Sequence, residues 1–263
     1  MRILVIGGTY YLGKAFTELA CRDNELTLLN RGSRKPVFSY PGHINNMIFD
    51  RHELKDGQIG GDFDAVVDLC AYEKGDIETV IKALPGRIGR YIFISTCDVY
   101  KRSTGHENDE SAGFETRDYG GAAGKYILGK AALEEELISC CRERSIHYNS
   151  LRPVFIYGPD DYANRENIFF KWIDEAGQVL YPEDATGSFQ MVYAKDVATV
   201  ILGLCKRDDL YDMAFNLCGN ERLSYDSFLE ALEYAVDKPF TRVNLTIDDI
   251  KTRNIRSEEH TSE

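Results

Sequence analysis

The sequence lacks any apolar run near the roughly 18 residues that a membrane-spanning helix requires. Its first residues, Met1 and Arg2, lead directly into an apolar stretch and then glycines, without the cleavage region of a signal peptide. The seven cysteines form no C-x-x-C pair, and the adjacent Cys140 and Cys141 suit neither a disulfide nor a tetrahedral zinc site. We therefore expect no membrane insertion, no bound metal and a reducing, cytoplasmic location.

The chain also has little positive charge. Its 31 basic residues stand against 43 acidic residues, and the formal net charge is −12. A surface this acidic repels phosphate backbones, which disfavours nucleic acid as a partner, although a single pocket can still be positive enough for an anionic ligand. With 263 residues, 43% hydrophobic and 28% charged, the composition is globular and excludes disordered and fibrous classes.

Short apolar runs alternate with helical periodicity along the chain, which is typical of βαβ units. The predicted strands are Ile3–Ile6, Leu26–Leu29, Met47–Phe49, Ala65–Leu69, Tyr91–Ser95, Ile146–Leu151 and Ala214–Leu217. The predicted helices are Leu12–Ala20, Asp76–Leu84, Tyr126–Glu143, Ile168–Ala176, Asp196–Cys205 and Ser224–Ala235, the last two beginning with the caps Asp196 and Ser224. The pattern predicts the α/β class, with a Rossmann-type doubly wound parallel sheet.

We interpret residues 1–255 as a single NAD(P)-binding Rossmann domain. Residues 157–189 and 219–255 are expected to form a small C-terminal substrate lobe, which is truncated because the natural sequence is lost after about Ile255. The last eight residues, 256–263, resemble the in-frame translation of a sequencing adapter, so we set them aside as an artefact.

A glycine-rich turn follows the first predicted strand and opens the first predicted helix. It reads Gly7, Gly8, Thr9, Tyr10, Tyr11, Leu12 and Gly13. Glycines let a backbone turn tightly beside a pyrophosphate, and a helix N-terminus supplies N–H groups and a positive dipole end. The turn predicts a dinucleotide site, with an ordinary strand-to-helix turn as the alternative.

The end of the second predicted strand indicates which dinucleotide binds. An NAD site would place Asp or Glu there, whereas this chain has Asn30, Arg31, Arg34 and Lys35. A 2′-phosphate suits these cations, which favours NADP over NAD; a solvated basic loop is the alternative. Asp50 either binds an adenine amine or caps the next segment. Cys70, after the fourth strand, completes the predicted cofactor-binding residues.

Tyr126 and Lys130 are four residues apart and share one face of a predicted helix. The pair supplies a phenol for proton transfer and an ammonium that lowers the phenol's pKa. Tyr10 and Tyr234 also precede lysines at this spacing, but only Tyr126 opens a long helix after the fifth strand. Thr96, at the end of that strand, is expected at the carboxyl edge of the sheet. The alternative is that Lys130 only pairs with Glu134.

Together these motifs resemble the extended short-chain dehydrogenase/reductases, in an atypical branch of the NAD(P)-dependent epimerase/dehydratase group. Later segments agree with the resemblance: Leu151–Pro159, Phe189–Ala198 and Ala214–Gly219. The resemblance implies that Tyr126 is the general acid/base, that Lys130 holds the nicotinamide ribose, and that Thr96 orients the substrate oxygen. It implies hydride transfer at a sugar or nucleotide-sugar hydroxyl or carbonyl, and suggests a homodimer.

Two departures from the family narrow the expected chemistry. Cys97 and Asp98 stand where sugar dehydratases of the family carry an Asp-Glu pair, which disfavours dehydration. Phe155 replaces an Asn that contacts the substrate diphosphate in many epimerases. The aromatic glycine turn and residues 162–172 also resemble chloroplast stem-loop-binding proteins. A non-catalytic dinucleotide-binding regulatory or RNA-associated protein is therefore the alternative function.

Overall fold

The computed structural model describes residues 1–33, 44–102, 108–161 and 165–253. The strands are β1 (Arg2–Ile6), β2 (Glu25–Asn30), β3 (Ile44–Ile48), β4 (Ala65–Asp68), β5 (Arg90–Ile94), β6 (His147–Pro153), β7 (Phe155–Tyr157), β8 (Gln178–Pro182), β9 (Met191–Tyr193), β10 (Met213–Leu217) and β11 (Thr241–Leu245). The helices are α1 (Tyr11–Ala20), α2 (Asp76–Ala83), α3 (Gly121–Glu143), α4 (Asn167–Ala176), α5 (Ala194–Leu204), α6 (Tyr225–Val236) and α7 (Ile247–Thr252).

Seven strands form one sheet in the order β10-β6-β5-β4-β1-β2-β3. Every neighbouring pair in this sheet is parallel. The strand order reverses between β1 and β4, so the carboxyl ends of these two strands flank the crevice in which doubly wound folds bind ligands. The predicted Rossmann-type parallel sheet is confirmed.

The sheet is covered by helices on both faces, because each strand alternates its side chains between them. Leu4 and Ile6 join the core that α2 and α3 build on one face. On the other face lie Ile3 and Val5, which are fully buried, and α1 packs against α5. Burial on both faces explains why these strands appear in the sequence as short continuous apolar runs.

The chain divides into two compact units. The first takes Met1–Val154 and Val192–Leu217, and the second takes Phe155–Met191 and the chain from Cys218 onward. Within the second unit, β8 and β11 pair in parallel, and its core is formed by Ile173, Val179, Leu229 and Leu232. Within the described ranges, no helix is both long and apolar enough to cross a membrane.

The structure corrects two element boundaries. Helix α3 begins at Gly121, so Tyr126 lies in its second turn rather than at its start. Helix α5 begins at Ala194 after Tyr193, so Asp196 is inside its first turn and is not its N-cap. Ser224 does cap α6, since its hydroxyl accepts a hydrogen bond from the Ser227 N–H. The expected artefact at 256–263 lies outside the described residues.

Candidate active site

The glycine turn joins β1 to α1, and two of its positions, Gly7 and Gly13, require glycine. Gly7 has φ +86°, in the left-handed region. A Cβ on Gly13 would overlap the Gly7 carbonyl oxygen, so α1 approaches the turn too closely for any side chain at that position. The N-cap residue of α1, Tyr10, makes no side-chain capping hydrogen bond to the start of the helix. The turn therefore presents the backbone N–H groups of a helix start at the sheet edge, as a pyrophosphate site requires.

The other residues of the turn differ in how far their side chains are buried. Tyr11 and Leu12 are each only 6% exposed, so their side chains belong to the core and only their backbone can serve a ligand. Thr9 and Tyr10 are half-buried. Gly8 is held by α1, because the Thr17 hydroxyl of that helix donates to the Gly8 carbonyl oxygen at 2.8 Å. The structure thus keeps the predicted segment together as one turn.

Cys70 lies directly beneath this turn. A Cβ on Gly7 would come 2.9 Å from the Cys70 sulfur, so the thiol fills the space that a larger residue 7 would need. Arg51 Nη2 donates to this sulfur at 3.4 Å. Burial raises the pKa of the Cys70 thiol, so a neutral sulfur packs under the turn rather than a thiolate.

The end of β2 carries no carboxylate in the described residues. Asn30 Nδ2 donates to Asn46 Oδ1 at 3.0 Å, which ties the end of β2 to the middle of β3. Arg31 is exposed beside them, whereas the predicted Arg34 and Lys35 lie outside the described residues. Asp50 caps the short 3-10 turn that follows, because its Oδ1 accepts from the His52 N–H at 2.9 Å. Of the two interpretations of Asp50, the capping contact is the one observed.

Sequence reasoning missed a buried ion pair at the carboxyl end of β4. Arg51 donates two hydrogen bonds to Asp68, at 3.0 and 2.8 Å. The Tyr91 hydroxyl donates to the same carboxylate at 2.7 Å. Asp68 is fully buried, and a carboxylate in that position requires partners. The sequence does show an acid, Asp68, at the end of an apolar strand, which indicates a buried carboxylate. It does not indicate the partner, because Arg51 is 17 residues away in sequence.

Lys130 and Tyr126 come together on α3 as the spacing predicts. Lys130 is 2% exposed, whereas Tyr126 is 38% exposed, so a buried ammonium lies beside an accessible phenol. Lys130 Nζ donates to the carbonyl oxygens of Ala71 at 2.8 Å and Ile94 at 2.7 Å. It lies 5.8 Å from the Tyr126 ring centroid. Burial lowers the pKa of Lys130 to about 8, so the ammonium is still mostly protonated at neutral pH.

Thr96 lies at the end of β5, at the same edge of the sheet. Its hydroxyl oxygen accepts from the Asp98 N–H at 3.2 Å and lies 3.3 Å from Asp98 Oδ2. These contacts cap the 3-10 turn at Cys97–Val99. Thr96 is 7% exposed, so in this structure its hydroxyl is engaged by Asp98.

Glu134, one turn beyond Lys130, does not pair with that lysine. It accepts two hydrogen bonds from Arg152 of β6 instead, at 2.8 and 3.1 Å. Arg152 also donates to the Tyr100 hydroxyl at 2.8 Å and the Glu110 carbonyl oxygen at 3.0 Å. The alternative of a Lys130–Glu134 pair is therefore wrong. Instead, a buried network that the sequence analysis missed fixes α3 to the sheet and to the preceding loop.

Comparisons with known proteins show what this chain is similar to. The family model described as "NAD dependent epimerase/dehydratase family" matches residues 76–218. A chloroplast stem-loop binding protein of 41 kDa from Arabidopsis thaliana is 25% identical over 247 residues; the match covers 88% of this chain and 62% of that protein. The chain therefore spans less than two thirds of that curated relative.

Solved structures share the fold at low identity. A UDP-N-acetylglucosamine 4-epimerase from Methanobrevibacter ruminantium M1, in complex with UDP-N-acetylmuramic acid, superposes with a TM-score of 0.80 at 18% identity, covering 93% of this chain and 85% of that one. A UDP-glucuronic acid 4-epimerase from Bacillus cereus, with UDP-glucuronic acid and NAD, gives 0.74 at 17% identity, covering 94% and 86%. Because the family model spans more than half of the chain, the chain belongs to the NAD-dependent epimerase/dehydratase family.

Proposed function

We propose that this protein is an NAD(P)-dependent oxidoreductase or epimerase acting on a hydroxyl or carbonyl of a sugar or nucleotide sugar. The observation that carries the proposal is the buried Lys130 ammonium beside the accessible Tyr126 phenol at the carboxyl edge of the sheet. In this proposal Tyr126 takes or gives the proton of the substrate oxygen. The positive charge of Lys130 favours the phenolate that forms when the proton leaves.

The residues at the turn fit a dinucleotide. Gly7 and Gly13 leave space where any Cβ would clash, and the start of α1 directs backbone N–H groups at the same place. We propose that Lys130 holds the nicotinamide ribose. The adenosine ribose would be held by Asn30 and Arg31. The bound dinucleotide would supply the hydride acceptor or donor. The chain itself supplies binding, orientation and the proton path through Tyr126.

The sugar substrate is supported by fold analogy. The neighbours from Methanobrevibacter ruminantium M1 and Bacillus cereus were each solved with a UDP-linked sugar. This chain differs from the sugar dehydratases of the family at Cys97, which stands in place of their acid. The Cys97 sulfur donates to the Arg152 carbonyl oxygen at 2.9 Å. A thiol engaged in that way is a poor acid for eliminating water, so we propose oxidation, reduction or epimerisation rather than dehydration.

Replacing Tyr126 by Phe tests the proposed proton transfer. Wild-type protein is incubated with UDP-glucose, UDP-N-acetylglucosamine and UDP-glucuronic acid plus NAD⁺ or NADP⁺, and products are followed by proton NMR and by absorbance of the reduced cofactor. We expect Tyr126→Phe to lower kcat by about 10²- to 10⁴-fold and to leave the cofactor Kd unchanged. Undiminished turnover by this variant would remove Tyr126 from the mechanism.

The chain offers a matched control for this variant. Tyr234 also precedes a lysine by four residues, and it is 90% exposed in the second unit. Its lysine, Lys238, pairs with Asp174 at 3.6 Å. Tyr234→Phe makes the same chemical change at a tyrosine whose neighbouring lysine pairs with an aspartate, so it should leave kcat unchanged.

We further propose that NADP is preferred over NAD. The support is the pair Asn30 and Arg31 at the end of β2, because the described residues of that strand end include no Asp or Glu. Arg31→Asp should raise the Kd of NADPH about tenfold or more and leave the Kd of NADH nearly unchanged, because only the 2′-phosphate is repelled. Fluorescence titration measures both constants. Arg22→Asp, at an exposed arginine beyond α1, is the charge-matched control.

Identification of any dinucleotide released on denaturation gives an independent check. Protein purified without added cofactor and then unfolded should release none, and the refolded or native protein should bind NADPH reversibly. Release of tightly held NAD⁺ or NADH would contradict the NADP preference and indicate an internal redox cycle instead.

The Arabidopsis thaliana relative favours a second candidate, a non-catalytic dinucleotide-binding or RNA-associated protein. It predicts cofactor binding without turnover of any sugar, and retention of a stem-loop RNA in a gel-shift assay at physiological salt. The net charge of −12 opposes RNA binding. A homodimer is the proposed oligomeric state, which sedimentation velocity measures directly.

A further inference from the structure

Three aromatic rings surround the Lys130 ammonium: Tyr72, Phe93 and Tyr126, which we call the aromatic cage. Nζ lies 4.7 Å from the Tyr72 ring centroid, 4.9 Å from that of Phe93 and 5.8 Å from that of Tyr126. All three distances fall within the roughly 6 Å over which a ring face attracts a cation. Because Lys130 is 2% exposed, the attraction acts where water does not compete with it.

Tyr72 is the member of the cage that comes from a loop, and that loop is firmly held. The Tyr72 N–H donates to Asp76 Oδ2 at 2.7 Å. A Cβ on Gly129 would lie 2.6 Å from the Tyr72 carbonyl oxygen, so the loop rests directly on α3. The carbonyl of the preceding residue, Ala71, is one of the two that accept from Lys130. These contacts place the ring over the ammonium.

The titratable groups around Lys130 form contacts with one another rather than with its ammonium. Lys130 is influenced electrostatically by Asp68 at the end of β4, Cys70 in the segment after it, Arg51 in the 3-10 turn and Asp76 in α2. Asp68 forms a bidentate pair with Arg51, and Asp76 lies 3.7 Å from the same guanidinium. Among the described residues, the direct partners of the ammonium are therefore two carbonyl oxygens and the three rings.

We propose that Tyr72 is a positioning residue, whose ring keeps the Lys130 ammonium charged and fixed beside Tyr126. Phe93 is fully buried and forms the base of the cage, whereas Tyr72 is 45% exposed and covers the ammonium from the outer side. Tyr126 is the group that reacts in the proposed function. The catalytic meaning of this inference rests on that proposed function, but the contact between the Tyr72 ring and the ammonium does not.

The test compares Tyr72→Leu with Tyr72→Phe. Leucine keeps most of the apolar volume and excludes water, but it has no ring face; phenylalanine keeps the ring and loses only the hydroxyl. The protonation midpoint of Lys130 is read by NMR of ¹³C-labelled lysine side chains across pH 6 to 11, and the signal is assigned with Lys130→Arg. We expect the midpoint to fall by about 0.5 to 1 pH unit in the leucine variant, because the charged form loses its ring contact. The phenylalanine variant should match the wild type.

Each outcome decides the inference. A leucine variant with an unchanged or higher midpoint would refute it, because the ring would then not stabilise the charge. A phenylalanine variant that behaves like the leucine variant would also refute it, because the hydroxyl would then carry the effect. Circular dichroism and the thermal midpoint show that each variant is folded.

The same variants separate this inference from the proposed function. With an active wild type, the alkaline limb of the kcat profile should move to lower pH in the leucine variant by the same amount as the NMR midpoint. If the wild type turns over no sugar, the proposed function fails, while the NMR comparison still tests the cage. If turnover is present and the NMR midpoint does not move, the cage fails alone.

Discussion

The carbonyl oxygen of Gly7 decides which residue position 13 can hold. A Cβ at position 13 would overlap that oxygen, which belongs to the backbone and cannot rotate away as a side chain could. Gly13→Ala should therefore push α1 off the turn, raise the Kd of NADPH at least tenfold and lower the free energy of unfolding by about 1–3 kcal/mol. Fluorescence titration and urea unfolding measure the two effects.

Gly203 in α5 is the matched control, because a Cβ there meets no described atom within 4 Å. Alanine at that position should be neutral or stabilise by up to about 1 kcal/mol, since alanine is the better helix former. Equal effects at positions 13 and 203 would show that the contact with Gly7 does not constrain the turn.

Some site residues could be predicted from the sequence because their chemistry and their neighbours are local. Tyr126 was separated from Tyr10 and Tyr234 by its place in a long helix after β5, and the structure puts it beside Lys130. The Arg51–Asp68 pair could not be found in this way. Its members come from different elements, the 3-10 turn after β3 and the end of β4, and only the folded chain brings them together.

Between secondary-structure elements, the Arg152–Glu134 pair joins α3 to β6. Both side chains are at most 5% exposed, so removing one charge leaves the other buried and unpaired. Glu134→Gln should lower the free energy of unfolding by about 3–5 kcal/mol, as measured in urea. The exposed neighbour on the same helix, Glu135→Gln, should cost less than about 0.5 kcal/mol.

A double variant shows whether the pair, rather than either side chain, is responsible. Glu134→Leu combined with Arg152→Met should be more stable than Glu134→Gln, because no buried charge remains. If the double variant loses the sum of the two single losses, the residues act independently and the proposed link between α3 and β6 is wrong.

The central strands β1, β4 and β5 were predictable because burial on both faces leaves a continuous apolar run. The start of α3 could not be predicted from the sequence. Gly120 and Gly121 both have positive φ, and the Gly-Ala-Ala-Gly sequence from Gly121 resembles a loop. At Gly124 the absence of a side chain leaves room for Asp118, because a Cβ there would come 2.8 Å from Asp118 Oδ1. The β8–β11 pair was missed because its strands are about 60 residues apart and short.

At the scale of the whole molecule, three thiols and one lysine with shifted pKa values are expected to change stability in alkali in opposite directions. Burial raises the pKa of the thiol of Cys140 to about 11, and of those of Cys141 and Cys205 to about 12. Burial lowers the pKa of Lys130 to about 8, against 10.5 for an exposed lysine. Between pH 8 and 9, the unfolded chain therefore holds the lysine proton more strongly than the folded protein does, so stability rises with pH.

Above pH 9 the free energy of unfolding falls with rising pH instead of increasing. The unfolded thiols then ionise while the three folded thiols remain protonated, so the stability they contribute below pH 9 is lost as pH rises towards 12. Three thiols outweigh one lysine, and the free energy of unfolding should have its maximum between about pH 8 and 9.5. Urea unfolding under reducing conditions at half-unit steps locates it.

Alanine at Cys140, Cys141 and Cys205 together should lower stability overall but make the fall above pH 9 shallower and move the maximum to higher pH. Alanine at the exposed Cys218 is the control and should leave the profile unchanged. Lys130→Met should remove the rise between pH 8 and 9, because that rise comes from the lysine proton. A triple variant with the wild-type profile would show that the alkaline loss comes from other groups, the buried Tyr91 among them, whose pKa burial also raises.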